Sequence, residues 1–347
     1  LGMGYIAANG KLGPDLLDLQ LTGASIPLTA LARSHANLLL DGNGDFTGRL
    51  TGTPDAVNLS GDFMAVQGHA FHQPFTRASG HLSLQDGSLS LTGVEVRNHS
   101  AWHRIDGGID LAGAHAISLR VKTKGARAED IVSWLAPGEA LTGNIENDVV
   151  IRGTLSAIEA EGTMTLTEGS YRGFLLSKAG GAYKRVGGVI SLEDFTVDSF
   201  NARVALSGTI DSKNQLNLTL AAQEVEVAYI QIKYPYPVQG KISLNGTLTG
   251  TTADPEFRGQ ASSRKLQLNG RDLFDIAGSV VLRRDEIDVS SLRFLLGTGQ
   301  VRFNGGYREK DEQVYGGLSV ENAEVGSLLS ILNTPVKDVT GRLNGQI

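Results

Sequence analysis

The chain has no cysteine, few aromatic residues, no one-signed charge and no long apolar run, and each shortage removes a class of protein. Without cysteine there is neither a disulfide framework nor a thiolate metal site. No run of eighteen apolar residues exists, so the sequence holds no helical membrane span, and Leu1-Gly-Met-Gly-Tyr is not the basic start of a secretory leader. Apolar residues are near average at 41%, and the 44 glycines follow no collagen period, which excludes a disordered or collagenous chain. The 31 basic and 37 acidic residues are interspersed and sum to −6, so nothing attracts a polyanion and no nucleic-acid partner is expected.

Catalytic signatures are missing as well. There is no Walker loop, nucleophile elbow or paired-histidine zinc helix, and Gly42-Asn-Gly44-Asp-Phe-Thr-Gly48 misses the dinucleotide spacing. Asp41-Gly-Asn43-Gly-Asp45 resembles the start of a calcium loop, but Phe46 follows it and Gly52 stands where the bidentate glutamate belongs, which favours a hairpin turn. His69 and His72, with His81 nearby, would face opposite sides of a strand and read as solvated loop histidines. Trp134 reads as part of a short helix capping a sheet, and Glu129-Asp130 and Asp285-Glu286 as solvating pairs. Neither an enzyme nor a cofactor nor a metal is expected.

What the chain does contain is a repeat of about one hundred residues. Gly240, Gly250 and Gly259 have counterparts at the same internal spacing in Gly143, Gly153 and Gly162 and in Gly42, Gly52 and Gly61. A further copy starts at Gly341, and the copies begin 101, 97 and 101 residues apart. Within the motif Ile242, Leu244 and Leu248 alternate with Lys241, Ser243, Asn245, Thr247 and Thr249, the period of a half-buried strand. Phe46 and Leu50, and Ile145, Val149 and Ile151, repeat that alternation in the other copies. Gly250-Thr-Thr-Ala-Asp-Pro255 then supplies turn chemistry.

More alternating runs follow each triad. Leu82 and Leu84 match Ile190 and Leu192, and both match Val280 and Leu282; partner runs hold Leu89 and Leu91, Phe195 and Val197, and Ile287 and Val289. Val204 and Leu206 precede Gly208 as Val301 and Phe303 precede Gly305, and each cycle closes with runs such as Leu216, Leu218 and Leu220. Short helices are expected at Ser25-Ile-Pro-Leu-Thr-Ala-Leu-Ala, at Ala128-Glu-Asp-Ile-Val-Ser-Trp-Leu, more weakly at 224–232, and at 322–332 with Asn322 as N-cap. About six strands and one short helix make a unit. The expected organisation is the end of a preceding repeat at 1–41, repeats at 42–140, 141–238 and 239–339, and the start of another at 340–347, all in one continuous sheet cut from a longer protein.

An open sheet must cover an apolar face with another sheet, a helix or a ligand, and six strands per unit outnumber what one short helix covers. The residues leave open a sheet folded on itself as a dry solenoid and a sheet occupied by something apolar. The order of glycine, alternating strand, Gly-Thr, proline-bearing turn, glycine, further strands and short helix, clearest in Leu244-Asn-Gly-Thr-Leu-Thr-Gly250-Thr-Thr-Ala-Asp-Pro255-Glu-Phe-Arg-Gly259, resembles the repeating unit of the TamB family within the AsmA-like superfamily of bacterial envelope proteins. The copy at Gly153 departs from it with Ser156 where the pattern has proline, and the first copy carries Pro54 early.

The resemblance implies an all-β, elongated, curved open sheet, the repeating β-groove. It implies a periplasmic protein held to the inner membrane by an anchor outside these residues, with an outer-membrane partner of the barrel-assembly type. Its implied function is to conduct phospholipids between inner and outer membranes, acyl chains in the groove and head groups in water. The expected lining is Phe46, Leu50, Leu82, Leu84, Ile145, Val149, Ile151, Ile190, Leu192, Val204, Leu206, Leu216, Leu218, Leu220, Ile242, Leu244, Leu248, Leu266, Leu268, Val280, Leu282, Leu292, Phe294, Val301 and Phe303. Two other readings are an assembly scaffold or adhesin, with a self-filled sandwich and free strand edges, and a carbohydrate-active solenoid, for which no carboxylate cluster is evident.

Overall fold

The structure is a computed structural model that describes residues 4–29, 40–70, 73–113, 115–130, 140–154, 157–199, 202–229, 237–331 and 339–346. It is all-β, as the alternation predicts, and open, as the resemblance implies, with every assigned pairing antiparallel. The chain divides into two compact units, residues 1–173 with 184–187 and residues 174–183 with 188–347.

The first unit contains β1 (Tyr5–Gly13), β2 (Leu16–Pro27), β3 (Asn43–Thr53), β4 (Ala56–Ala70), β5 (Gln73–Gln85), β6 (Ser88–Asn98), β7 (Ala101–Asp110), β8 (Ala116–Arg127), β9 (Leu141–Thr154) and β10 (Ala157–Tyr171). Strand β11 (Phe174–Val186) is divided between the units. The second contains β12 (Val189–Ser199), β13 (Ala202–Ile210), β14 (Leu216–Glu226), β15 (Val238–Gly250), β16 (Pro255–Leu268), β17 (Arg271–Arg283), β18 (Glu286–Leu296), β19 (Gly299–Arg308), β20 (Gln313–Glu324) and β21 (Arg342–Gln346), with helix α1 (Val325–Ile331). Within each unit every strand pairs with the next in sequence. Among the described residues no register joins β1 to β10 or β12 to β21, so neither run closes into a barrel.

The repeated glycines have steric causes. Gly250 ends β15 with φ +83°, and a Cβ there would crowd the Asp254 carbonyl; Gly52 and Gly153 do the same job at φ +113° and +108°. Gly259 faces Gly246 across β15 and β16, and the Phe257 ring lies along the sheet over the pair, with its Cζ 2.7 Å from where a Gly259 Cβ would stand. The Phe46 ring roofs Gly48 and Gly61 in the same way. Glycine thus makes the seat in which an aromatic ring can lie flat.

Alternation breaks once in many strands, at a bulge. The register shifts between Gly23 and Ile26, Leu91 and Val94, Thr123 and Ala126, Leu192 and Phe195, Ala222 and Val225, Val289 and Leu292, and Val320 and Ala323. The second skipped residue of each has positive φ, as at Ser25, Asp194, Ser291 and Asn322. Its amide leaves the ladder and is caught by the next strand: Ser25 donates to Asp45 Oδ1 at 2.9 Å, Gly93 to Asp106 Oδ1 at 2.6 Å, Ser291 to Asn304 Oδ1 at 2.6 Å and Asn322 to Asn344 Oδ1 at 2.7 Å. No amide is left orphaned at these four sites, which removes the main cost of an irregular strand.

Several local expectations change. Asp41-Gly-Asn43-Gly-Asp45 is not a hairpin turn; it leads into β3, where Asp45 lies on the polar side and holds Ser25 while Asp41 accepts the His69 amide at 2.5 Å. Ser25-Ile-Pro belongs to β2, and helical residues begin at Leu28. Asn322 is a bulge residue within β20 rather than an N-cap, and of the weak helix expected at 224–232 the described part is strand to Glu226 followed by a 3-10 turn, Val227–Tyr229, while 230–232 lie outside the described residues. His72, Trp134 and Ser156 lie outside the described residues. Among the described residues no helix is long and apolar enough to cross a membrane.

Replacing Gly246 with alanine should destabilise the second unit by about 1–3 kcal/mol, because the new Cβ meets the Arg258 carbonyl and the Gly259 Cα at 2.6 Å. Gly345→Ala, with nothing within 4 Å, should stay within about 0.5 kcal/mol in the same denaturant titration.

Candidate apolar binding face

Opposed residues in an antiparallel pair share a face, so the register assigns faces strand by strand. In the second unit one row runs Leu192, Gly208, Leu218, Leu248, Phe257, Leu282, Ile287, Tyr307 and Val314 across nine strands. Two rows further along the same face, Val204, Ala222, Leu244, Ala261 and Gly278 are joined, and Leu292 with Phe303 and Leu318 lies next to Gly278. Leu266, Leu268, Phe294 and Val301 fall on that face beyond the bulges, as do Ile190, Leu206, Leu216, Leu220, Ile242 and Val280.

In the first unit the corresponding row is Gly10, Leu19, Leu50, Leu59, Leu84, Leu89, Ile109, Ile117, Gly153 and Ile158. Phe46, Leu82, Ile145, Val149 and Ile151 share its face. Every nominated residue therefore lies on a common face with the others of its own unit. Seven of them are buried, Ile145, Val149, Leu216, Leu218, Val280, Phe294 and Val301, and the rest are half-buried. That intermediate exposure is what a face without a sealing second layer retains.

One end of the face is covered. Leu328 and Ile331 of α1 pack with Leu273, Ile276, Phe294, Leu296, Val301, Val320 and Ala323. The helix is latched there by Asn269 Nδ2, which donates to the Ile331 carbonyl at 2.9 Å, and by Arg271, which donates to Ser330 Oγ at 3.2 Å. In the first unit Leu28, at the start of the helical residues, packs with Ala65, Phe75 and Ala78. Among the paired rungs the one charged side chain on the apolar face is Arg271, opposite Leu268 at a turn.

Apart from Arg271, charge on the paired rungs lies on the other face. Arg49 pairs with Asp18 at 2.8 Å, Arg120 with Asp148 at 2.9 Å and Lys265 with Asp272 at 2.7 Å. Arg283 joins Glu256 at 2.7 Å, Glu286 at 3.1 Å and Asp288 at 2.7 Å, while the Tyr315 hydroxyl donates to Asp288 across the space left by Gly306. That bond, with Arg283 beside Asp288, holds the Asp288 carboxyl below its ordinary range, and the same bond together with desolvation pushes the Tyr315 phenol up to about 12. A depression of about 1160 Å3 over β14 to β17 is lined mainly by polar-face residues such as Lys241, Ser243, Gln260 and Lys265, and its charges are mixed in sign. His69 faces Asp41 at 3.1 Å and His81 faces Asp62 at 2.9 Å.

Sequence reasoning left the rows of β1, β2 and β4 out of the lining, although Leu19, Leu59 and Phe63 alternate as clearly as Leu82 and Leu84. It also passed over a polar rung on the apolar face, His103, Thr123 and Asn147, whose signal is the placement of His103 two residues before Ile105. Comparisons with protein families, with characterised proteins and with solved structures return no match for this chain.

Nitroxide labels along β18 should report apolar environments at positions 287, 289, 292 and 294 and water at 288 and 293; strict alternation straight through 290 would contradict the bulge. The charge network predicts two limits of stability. Asp288 is lowered, so its contribution is present above the ordinary 3.8 and is lost as pH falls through its lower folded value. Tyr315 is raised, so its contribution is lost as pH rises from 10.0 towards about 12. In Tyr315→Phe both the acid and the alkaline fall of the unfolding midpoint should become shallower.

Proposed function

We propose that the apolar face is a conduit for lipid acyl chains and that the chain is part of a bridge-like lipid-transport protein of the bacterial envelope. The observation that carries this reading is the row structure of the face: apart from the His103 rung, apolar or glycine positions run rung after rung through each unit's strands, and most of the expected lining is half-exposed. Hydrocarbon is the ligand chemistry that such a face favours, because each 100 Å2 of apolar surface withdrawn from water contributes about 2.5 kcal/mol. Few hydrogen bonds tie the hydrocarbon to one place, so chains can slide. The resemblance of the repeat to the TamB family supports the same reading, and with it a periplasmic location, phospholipid cargo and an outer-membrane barrel-assembly partner.

Leu244 lies between Ala222 and Ala261 on the apolar face, and Asn245 lies between Ala221 and Gln260 on the other. A guanidinium at position 244 must either be desolvated or hold water in the hydrocarbon path. Lipids extracted from the purified wild-type chain should therefore include acyl lipids by mass spectrometry. Leu244→Arg should lower that content several-fold with the circular dichroism spectrum unchanged, and Asn245→Arg should leave it intact. A lipid-free wild type, together with unfolding of Leu244→Arg alone, would point to a dry structural scaffold.

A further inference from the structure

The apolar face of the first unit carries a polar rung. Val96 of β6 is opposite His103 of β7, His103 is opposite Thr123 of β8, Thr123 is opposite Asn147 of β9, and Asn147 is opposite Met164 of β10. The rows on the Ile105 side of this rung are hydrocarbon, with Ile105, Val121 and Val149 in succession. His103 Nδ1 and Thr123 Oγ1 are 2.9 Å apart, and Thr123 is buried.

Proton counting gives this pair a definite chemistry. The neutral imidazole has one N–H and the hydroxyl one O–H, and the contact between them uses one of the two hydrogens. If the hydroxyl donates to Nδ1, the hydrogen on Nε2 is the one not used in the pair; if Nδ1–H donates to Oγ1, the hydroxyl hydrogen is. In either tautomer the pair keeps one donor, beside a row of hydrocarbon side chains, Val94, Ile105, Val121 and Val149, that offers none.

We propose that the His103–Thr123 pair is a binding subsite for an acyl oxygen, the carbonyl of an ester or the carboxyl of a fatty acid, whose hydrocarbon lies along the adjoining rows. The inference rests on the reading of this face as an acyl-chain path and adds a position at which the cargo is held by hydrogen bonding. Burial lowers the His103 pKa, so at neutral pH the ring offers a hydrogen bond rather than a charge that would obstruct hydrocarbon. None of the residues opposed to His103, Thr123 and Asn147 along the rung carries a charge.

The test is displacement of a bound fluorescent hydrocarbon, diphenylhexatriene, from the purified chain by three competitors: dodecanoic acid, methyl dodecanoate and 1-chlorododecane. The variant is the double substitution His103→Leu with Thr123→Val, which turns the pair into an ordinary apolar pair; its folding is checked by circular dichroism. Loss of one hydrogen bond corresponds to roughly a tenfold change in affinity. The expected result is that the variant binds the acid and the ester about tenfold more weakly and the chloroalkane as tightly as the wild type. An effect on the ester as large as on the acid assigns the carbonyl of an esterified lipid; an effect on the acid alone assigns a free fatty acid. Equal binding of all three competitors by wild type and variant overturns the subsite and leaves the conduit standing. Failure of the wild type to bind diphenylhexatriene at all overturns both.

Discussion

The structure depends on keeping side chains of one kind on one face while the strands themselves are irregular. A one-residue slip moves every later side chain of a strand to the other side of the sheet. The bulges prevent this by skipping two residues and resuming at the third: Leu91 is followed by Val94, Leu192 by Phe195 and Val289 by Leu292. A bulge also frees a backbone amide, and unpaired amides are costly. The side chains of Asp45, Asp106, Asn304 and Asn344 accept those amides from the polar face, so the two faces are linked: polar residues on one side hold the register that keeps the other side apolar.

The division of chemistry between faces follows from that constraint. Ion pairs such as Arg49–Asp18 and the network around Arg283 lie where water screens them, and each exposed pair contributes little by itself. Their uniform placement matters more than their strength, because it leaves the opposite rows free of charge apart from Arg271 at a turn. The apolar face is then only partly satisfied by its own neighbours and by α1 at one margin. Half-exposed leucine and phenylalanine in such rows are a standing driving force for an apolar ligand.

Much of this was legible in the sequence because the relevant periods are short. Alternation placed Ile242, Leu244 and Leu248 on one face, and the hundred-residue repeat of glycines marked where strands end. The bulges were harder to read: Ser291 and Asn322 adopt positive φ where a side chain of the partner strand accepts the freed amide, and Asn322 before an apolar run imitates a helix cap. Asp41-Gly-Asn43-Gly-Asp45 misled in the same way, since turn-forming residues there serve the entry to β3 and the capture of Ser25. The pairing of His103 with Thr123, separated by 20 residues, required the register itself.

The central claim is that hydrocarbon occupies the rows containing Leu244. Photocrosslinking with benzoylphenylalanine at position 244, and at position 245 as the opposite-face control, tests it in cells expressing the chain. Lipid adducts identified by mass spectrometry at 244 and absent at 245 are the predicted result. Adducts at neither position, or equally at both, would contradict the account.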